Sequence, residues 1–469
     1  MSSNIPKSRC GLGAAPPILR GDSFHMRIRI LAKQLVLVAL ITAIAAIVVP
    51  GIASAVTPPS QDPFYKYTGT TPLSSIAPGT ALKSRVVPYN IVGLAVALKT
   101  TQILYRSTDQ LGQPTTNVTS VVQPLIQLDK SKVVSYQSIY DSLNPEDEPS
   151  YEISGNVSLT GIIPGIETLL FSPFLLDGYT VVISDTEGQK ANFAAGREYG
   201  YNTIDSIRAA FKTSSVGLPS SAKVSLMGYS GGAIATEWAA ELAPTYAPDV
   251  NSKLVGAAFG GVLVSPAHNL HYVDGSTIWA GVEPMALIGA ARAFNIDLQP
   301  YLSAKGVEVY NKLKNASIIN VLGQYSGLTW AQMAKPQYAQ PESVPVYVNA
   351  VNQLIMGTGG TPTTPMMIGQ GANGELEGTP GTGTFGKGDG VMIAGDVRTL
   401  ARQYCAKGKK VQYTEYANLS HIPGALVWLS DAISWIKDRH SALDQLFKLA
   451  PSNCSSIAPG NSLAPIPTS

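Results

Sequence analysis

Cysteine, histidine and charge are all scarce in this chain. Its 469 residues include three cysteines and five histidines, and only 14% carry a charge. The 33 basic and 31 acidic side chains nearly cancel, which excludes the broad basic surface that a nucleic-acid partner requires. No apolar run reaches the roughly 20 residues of a membrane-spanning helix. What is abundant is hydrophobic residues, 45% of the chain, enough for a large buried core.

The first 55 residues have the organisation of a secretory signal peptide. A basic stretch at 27–33 precedes an apolar run at 35–49, and an A-x-A cleavage pattern follows at 53–55. An uncleaved membrane anchor is the alternative, but about 15 apolar residues are too few to span a bilayer. We therefore expect a mature protein that is secreted or associated with the cell wall.

Export places the cysteines in an oxidising compartment, where disulfides persist. Cys10 lies in the predicted signal peptide, so Cys405 and Cys454 are the remaining pair. Two unrelated buried thiols are the alternative. We expect a disulfide, because free thiols are prone to oxidation outside the cell, and a bridge of this loop length contributes about 2–4 kcal/mol to stability.

Short apolar strands alternate with helical segments over much of the chain. An extended arm without a packed core is expected at 56–80, followed by an antiparallel hairpin. Apolar strands at 179–183, 223–227 and 254–259 are then separated by segments with helical spacing. This alternation predicts the α/β class, with a mostly parallel sheet flanked by crossover helices.

The alternation fails at 265–345, where irregular helical segments predict an inserted helical cap. The sheet is expected to return at 344–348 or at 365–368. The sequence is accordingly divided into a first core part at 81–264, the cap at 265–345, a second core part at 346–455 and a C-terminal tail at 456–469.

The sequence G-Y-S-G-G at 228–232 fits the G-x-S-x-G pattern of a serine nucleophile. Among 44 glycines the pattern alone is weak evidence. However, a predicted strand runs into it and a helix rich in small residues leaves it, as a nucleophile elbow requires. We therefore predict Ser230 as the nucleophile and the Gly231 N–H as an oxyanion donor. A glycine-rich turn with an incidental serine is the alternative.

A serine nucleophile needs a histidine base that a carboxylate orients. In this fold the chain order is serine, acid, histidine, which leaves His421 and His440. His421 directly follows the strand predicted at 411–416, where a triad histidine belongs. His440 ends a helix among charged residues and is expected on a solvated face. The sequence therefore favours His421.

Four acidic residues could orient that histidine, namely Glu375, Glu377, Asp389 and Asp396. Asp396 falls inside a helix predicted at 392–404 and is expected to be solvated. Asp389 lies in a glycine-flanked loop just before that helix and is better placed. The two glutamates remain open alternatives.

Several further motifs make the chain resemble the secretory lipase family of fungi and actinobacteria, a branch of the α/β-hydrolases with a helical cap. They are S-D-T-E-G at 184–188, G-R-E-Y-G at 196–200, the elbow, G-D-G-V-M at 388–392, A-R-Q-Y-C at 401–405 and S-H at 420–421. Together they span nearly the whole predicted mature chain and are specific as a set.

The resemblance implies that Asp389 and His421 complete a triad with Ser230. It also implies that Asp185 helps the Gly231 amide to form the oxyanion hole. A carboxyl group donates only when it is protonated, so this role requires a raised pKa. The backbone N–H of Asp185 is an alternative donor, and an ordinary residue at a strand end is the plainer interpretation.

The sequence as a whole predicts a secreted serine lipase or esterase that hydrolyses carboxylic esters of lipids through an acyl-enzyme. Its predicted partners are a lipid or small ester substrate and, transiently, a lipid interface; no cofactor or metal is needed. Two alternatives remain. A cell-envelope acyltransferase or glycolipid esterase would use the same triad, whereas a lipid-binding surface protein would be inactive.

Overall fold

The protein is described by a computed structural model that covers Met1 and residues 56–468. Within that range nine strands form one sheet, in the order β1-β2-β3-β5-β4-β6-β7-β8-β9. The strands are β1 (Ala81–Ile91), β2 (Leu94–Thr108), β3 (Pro114–Pro124), β4 (Lys132–Gln137), β5 (Thr180–Ser184), β6 (Lys223–Tyr229), β7 (Leu254–Gly260), β8 (Met366–Gly371) and β9 (Val411–Tyr416). The first three pairings are antiparallel and the others parallel, which confirms the predicted mostly parallel sheet.

Helices connect the strands and build the cap. They are α1 (Pro149–Ile153), α2 (Ile162–Leu176), α3 (Gly196–Lys212), α4 (Gly231–Tyr246), α5 (Pro248–Asn251), α6 (Pro266–Val273), α7 (Val282–Ala293), α8 (Ala304–Leu313), α9 (Trp330–Met333), α10 (Pro345–Gln353), α11 (Ala394–Ala406), α12 (His421–Arg439) and α13 (Ala442–Phe447). Short 3-10 helices lie at Pro63–Tyr65, Leu73–Ser75, Pro145–Asp147, Ile318–Asn320, Pro336–Tyr338, Pro341–Ser343, Gly374–Glu377 and Cys454–Ser456. Among the residues described, no helix combines the length and hydropathy of a transmembrane span.

The sheet is covered on both faces, as its continuous apolar strands require. Successive side chains of a strand point to opposite faces. Val182 accordingly packs in a cluster with Trp238 of α4, and its neighbour Val181 packs in another with Phe171 of α2 and Trp428 of α12. Helices α4 and α12 therefore lie on opposite faces of the sheet.

Strand β4 was not predicted. It pairs in parallel with β5 on one side and with β6 on the other. It therefore separates the strand that precedes Asp185 from the strand that precedes Ser230. This insertion decides which side chains meet at the carboxyl edge of the sheet, the edge where the parallel strands end.

The helical insertion includes α6 to α9 and continues through α10. The prediction of a strand at 344–348 is wrong. Pro345 begins α10, and proline is favoured at the first position of a helix. Tyr347, Val348 and Val351 then pack in one cluster with Trp330 of α9. The strand considered at 365–368 is correct in place and forms β8.

Two further predictions concern the ends of the fold. The arm at 56–80 was expected to lack a packed core, but Tyr65 is buried and packs against Leu104 and Val118. The predicted signal peptide lies outside the described residues. The predicted disulfide is present: Cys405 is bonded to Cys454, which joins α11 to the C-terminal segment.

Candidate active site

Ser230 occupies the sharp turn between β6 and α4. Its backbone has φ 53° and ψ −121°, a conformation that non-glycine residues rarely adopt. The turn is tight enough that a Cβ on Gly228 would overlap the carbonyl oxygen of Gly232. This is the geometry of a nucleophile elbow, which lifts the serine hydroxyl clear of the sheet.

His421 and Asp389 lie beside this serine. His421 is the first residue of α12, and its Nε2 is 2.8 Å from Ser230 Oγ. Its Nδ1 is 2.8 Å from Asp389 Oδ2. The structure thus brings the three predicted residues together in one hydrogen-bonded chain.

The acid and the histidine are both held by backbone and side-chain contacts. Asp389 is fully buried, and its Oδ1 accepts hydrogen bonds from the N–H groups of Val391 (3.1 Å) and Met392 (2.7 Å). Its Oδ2 also accepts one from Gln370 Nε2 at 2.9 Å. The N–H of His421 donates to the Asp389 carbonyl oxygen at 2.7 Å. These contacts orient the imidazole toward Ser230.

A second buried acid, Asp141, lies against the elbow. It follows β4, and its φ of 34° is unusual for a residue with a side chain. Its carboxyl group lies so close to Gly231 that a Cβ there would overlap Asp141 Oδ1. Its carbonyl oxygen accepts a hydrogen bond from the N–H of Ile318 in the cap at 2.9 Å. Asp141 is thus held beside Ser230 and beside the N–H of Gly231, the first residue of α4.

Asp185 lies elsewhere. Its Oδ1 accepts from the N–H of Ser150 at 2.8 Å, and its Oδ2 accepts from the Ser150 hydroxyl at 2.6 Å. Its carboxyl group also pairs with that of Glu148. Asp185 does not line the cavity that contains Ser230. The structure therefore does not bring Asp185 to the elbow, because β4 stands between β5 and β6.

A cavity extends from Ser230 into the cap. Asp141 and Gly231 line it at the elbow, and Asn269 and Glu283 are among its few other polar residues. The remaining wall is apolar and includes Phe193, Ile234, Leu263, Leu270, Val273, Trp279, Val282, Leu287, Leu354 and Met392. This arrangement offers a nucleophile at the end of a space suited to a hydrocarbon chain.

The chain is similar in sequence and fold to known proteins. The model of the family described as "Secretory lipase" matches residues 154–446, more than half of the chain. The chain belongs to the secretory lipase family. Among its relatives, Lipase 4 of Candida albicans is 32% identical over 401 residues, which cover 82% of each chain. Lipase 5 of the same organism is 30% identical over 403 residues, 82% of this chain and 81% of that one.

A solved structure has the same architecture. Candida antarctica lipase A in its closed state superposes with a TM-score of 0.71 at 25% identity, covering 88% of this chain and 93% of that one. The predicted α/β-hydrolase fold is confirmed. The protein is a carboxylic ester hydrolase.

Two groups of the site, His421 and Asp141, have pKa values above their ordinary ranges. Burial alone would lower the pKa of His421, but Asp389, Glu377 and Asp141 outweigh burial and raise it. Burial raises the pKa of Asp141 to about 7, against the opposing effect of His421 and with a further increase from Glu167. Asp141 can therefore be protonated near neutral pH, and a protonated carboxyl group can donate a hydrogen bond.

The alternative acids have other partners. Glu377 accepts from Trp279 Nε1 at 2.9 Å and from the N–H of Ile422 at 3.0 Å, so it supports the walls of the site. Glu375 is exposed. The prediction that Asp396 is solvated is wrong. Asp396 is buried, and its Oδ2 lies 2.9 Å from Nδ1 of His268 in α6.

The other histidine that the chain order allowed is also buried. His440 was expected on a solvated face, but its Nε2 is 3.0 Å from Ser225 Oγ of β6. Its ring packs edge-on against Tyr179. Burial, aided by the charge of Lys132, lowers the pKa of His440 to about 3. His440 is thus a neutral core residue.

Proposed function

We propose that the protein is a secreted serine lipase in which Ser230, His421 and Asp389 act as the catalytic triad. The single observation that carries this proposal is the hydrogen-bonded chain of these three residues at the end of an apolar cavity. Secretion is proposed from the signal-like sequence at 1–55 and from the family to which the chain belongs.

In the first half-reaction Ser230 Oγ attacks the ester carbonyl carbon while its proton passes to His421 Nε2. Asp389, bonded to Nδ1, keeps the imidazole in the tautomer that can accept this proton and stabilises the imidazolium that forms. The carbonyl oxygen becomes an oxyanion. The tetrahedral intermediate then collapses, the bond to the alcohol oxygen breaks, and the alcohol leaves with the proton from His421.

In the second half-reaction water attacks the acyl-enzyme. His421 takes a proton from this water and returns it to Ser230 as the carboxylic acid leaves.

Each half-reaction passes through a tetrahedral intermediate, and the oxyanion of each intermediate needs hydrogen-bond donors. We assign this role to the N–H of Gly231, at the start of α4, and to the protonated carboxyl group of Asp141 in place of Asp185. The contact between Asp141 and Gly231 supports this assignment.

The substrate class follows from the cavity. Its apolar wall favours an aliphatic acyl chain, since burial of hydrocarbon is worth roughly 0.8 kcal/mol per methylene group. We therefore propose acyl esters of lipids as substrates, in agreement with the names of the relatives.

The proposal is tested by hydrolysis of p-nitrophenyl esters from acetate to palmitate. We expect Ser230→Ala to lower turnover by at least about 10⁴-fold, because no other group replaces the nucleophile. Ser206→Ala is the matched control, since this buried serine donates a hydrogen bond to the Thr203 carbonyl oxygen of its own helix and does not line the cavity. An equal loss in both variants, or none in Ser230→Ala, would reject Ser230 as nucleophile.

The same assay separates the alternatives. Product analysis with an added alcohol acceptor distinguishes hydrolysis from acyl transfer, because a transferase would form the new ester in preference to the free acid. A folded wild-type protein without turnover on any ester would favour the inactive lipid-binding protein.

A further inference from the structure

The motif S-D-T-E-G at 184–188 contains a second acid, Glu187, which the proposed mechanism does not use. Glu187 follows β5 and is buried. Its two carboxyl oxygens lie 3.1 and 3.2 Å from the backbone nitrogen of Ser142, the residue after Asp141. Its own N–H donates a hydrogen bond to the hydroxyl of Tyr140, the residue before Asp141, at 2.9 Å. Glu187 therefore holds the chain on both sides of Asp141.

A second buried carboxyl group holds the start of the same segment. Glu167 of α2 accepts hydrogen bonds from the N–H of Ile139 and from the hydroxyl of Tyr136, both at 2.8 Å. It also accepts one from the hydroxyl of Ser138. The two glutamates therefore contact segment 138–142 at both of its ends.

Asp141 needs this support because its backbone has a rare conformation. Its φ of 34° lies in the left-handed region, which residues with a side chain seldom adopt. A residue persists in such a conformation only where the surrounding structure fixes it. Without the contacts of the two glutamates the segment is free to relax, which would move the Asp141 carboxyl group away from Gly231.

The surroundings of both glutamates favour the neutral carboxyl group. Burial, together with the charge of Asp141, raises the pKa of Glu187 well above its ordinary value. Burial likewise raises the pKa of Glu167 to about 7. A glutamine side chain has nearly the same shape and is also neutral, so it replaces the carboxyl group conservatively. Alanine, in contrast, removes the contacts.

We propose that Glu187 and Glu167 are positioning residues for ester hydrolysis, which hold segment 138–142 so that Asp141 stays beside the N–H of Gly231. Neither glutamate lines the cavity that contains Ser230, so their effect on the rate is exerted through Asp141. This inference rests on the proposed function, because it assumes that Asp141 donates a hydrogen bond to the oxyanion.

The test measures kcat and KM on p-nitrophenyl butyrate for alanine and glutamine variants of the two glutamates. We expect Glu187→Ala to lower kcat by about tenfold to 10²-fold, since misplacement of a catalytic group by about 1 Å costs up to that much in rate. KM should change less than about twofold, because an oxyanion donor acts in the transition state. Glu187→Gln keeps an acceptor for the Ser142 N–H and should retain kcat within about threefold. Glu167→Ala and Glu167→Gln should differ in the same way.

A second background shows whether the glutamates act through Asp141. Residues that act as a unit have non-additive effects on the rate. In Asp141→Ala the carboxyl group that Glu187 positions is absent, so the added Glu187→Ala should lower kcat by less than about twofold. A merely structural role would lower kcat by the same factor in both backgrounds.

Glu198 of α3 offers a matched control. It is also a buried glutamate, and burial raises its pKa to about 7. Its Oε2 accepts hydrogen bonds from the N–H of Gln110 at 3.1 Å and from Nδ2 of Asn192 at 2.9 Å. None of its hydrogen bonds within the described part of the chain reaches segment 138–142. We expect Glu198→Ala to keep kcat within about threefold of wild type.

Thermal unfolding of every variant checks that it is folded. Tyr140→Phe is the milder substitution should Glu187→Ala fail to fold, because it removes only the hydroxyl that accepts the N–H of Glu187. We expect Tyr140→Phe to lower kcat by about five- to tenfold with little change in KM.

Three outcomes would overturn the inference while leaving the triad intact. Folded Glu187→Ala and Glu167→Ala would both keep kcat within about threefold of wild type, Glu198→Ala would lower kcat equally, or the loss in Glu187→Ala would persist in the Asp141→Ala background. Failure of the proposed function looks different. In that case Ser230→Ala or Asp141→Ala would itself keep the wild-type kcat, and an unchanged Asp141→Ala would also remove the role that the glutamates support.

Discussion

Asp141 and Asp185 are two similar acids in two different surroundings. Each is buried near the end of a strand of the parallel sheet, and burial raises the pKa of each to about 7. Asp185 is engaged by both polar groups of Ser150 and by Glu148. Asp141 instead lies against Gly231 in the cavity. The same residue type and a similar pKa therefore serve stability at one position and, in our proposal, catalysis at the other.

The largest expected difference between the two acids is in their effect on kcat. Asp141→Ala should lower kcat on p-nitrophenyl butyrate by about 10²–10³-fold, the usual cost of losing one oxyanion donor. Its midpoint of thermal unfolding should change little, since the Asp141 carboxyl faces a cavity. Retention of more than about a tenth of the wild-type kcat would contradict the assignment of Asp141.

Asp185→Ala should show the opposite pattern. The substitution leaves the Ser150 N–H, the Ser150 hydroxyl and Glu148 without their buried partner, which should cost about 2–4 kcal/mol of the free energy of unfolding. The kcat of the folded enzyme should stay within about threefold of wild type, since Asp185 does not line the cavity. Denaturant unfolding and kcat are measured on the same preparation. A fall in kcat as large as that of Asp141→Ala would support the prediction that Asp185 is an oxyanion donor.

The smallest expected effect of substituting these acids is on the pH dependence of kcat/KM. His421 acts as a base only when neutral, so kcat/KM should rise as pH increases through its pKa, which lies above the ordinary value. Asp141 donates only when protonated, so kcat/KM should fall again as pH increases through about 7. Asp141→Asn keeps an N–H donor that does not titrate and should abolish this fall.

The profile of Asp185→Asn serves as the control and should retain the alkaline fall, because Asp185 does not line the cavity. A fall that persists in Asp141→Asn would show that another group titrates.

The local parts of the site were predictable from the sequence. Ser230 and its glycines are adjacent in the chain, and the elbow depends on the steric demands of that short segment. The chain order of the fold then selected His421 and Asp389, which the structure places within hydrogen-bonding distance. Their catalytic roles remain predictions that the variants above test.

Burial and strand neighbours were less predictable. His440 has charged neighbours in sequence and Asp396 falls inside a predicted helix, yet both are buried, and Ser225 of β6 and His268 of α6 contact their side chains. The segment 344–348 has residues that favour strands, but Pro345 begins a helix there, and Tyr347 and Val348 pack with Trp330.

The sequence by itself determined the α/β class and the elbow, because these depend on local periodicity and on one short segment. Only the tertiary structure decided that β4 lies between β5 and β6, and hence that Asp141 rather than Asp185 adjoins Gly231. Strand order depends on pairing between residues far apart in the chain, here Val133 with Val224 and Thr180. A periodic pattern within one segment does not specify such a pairing.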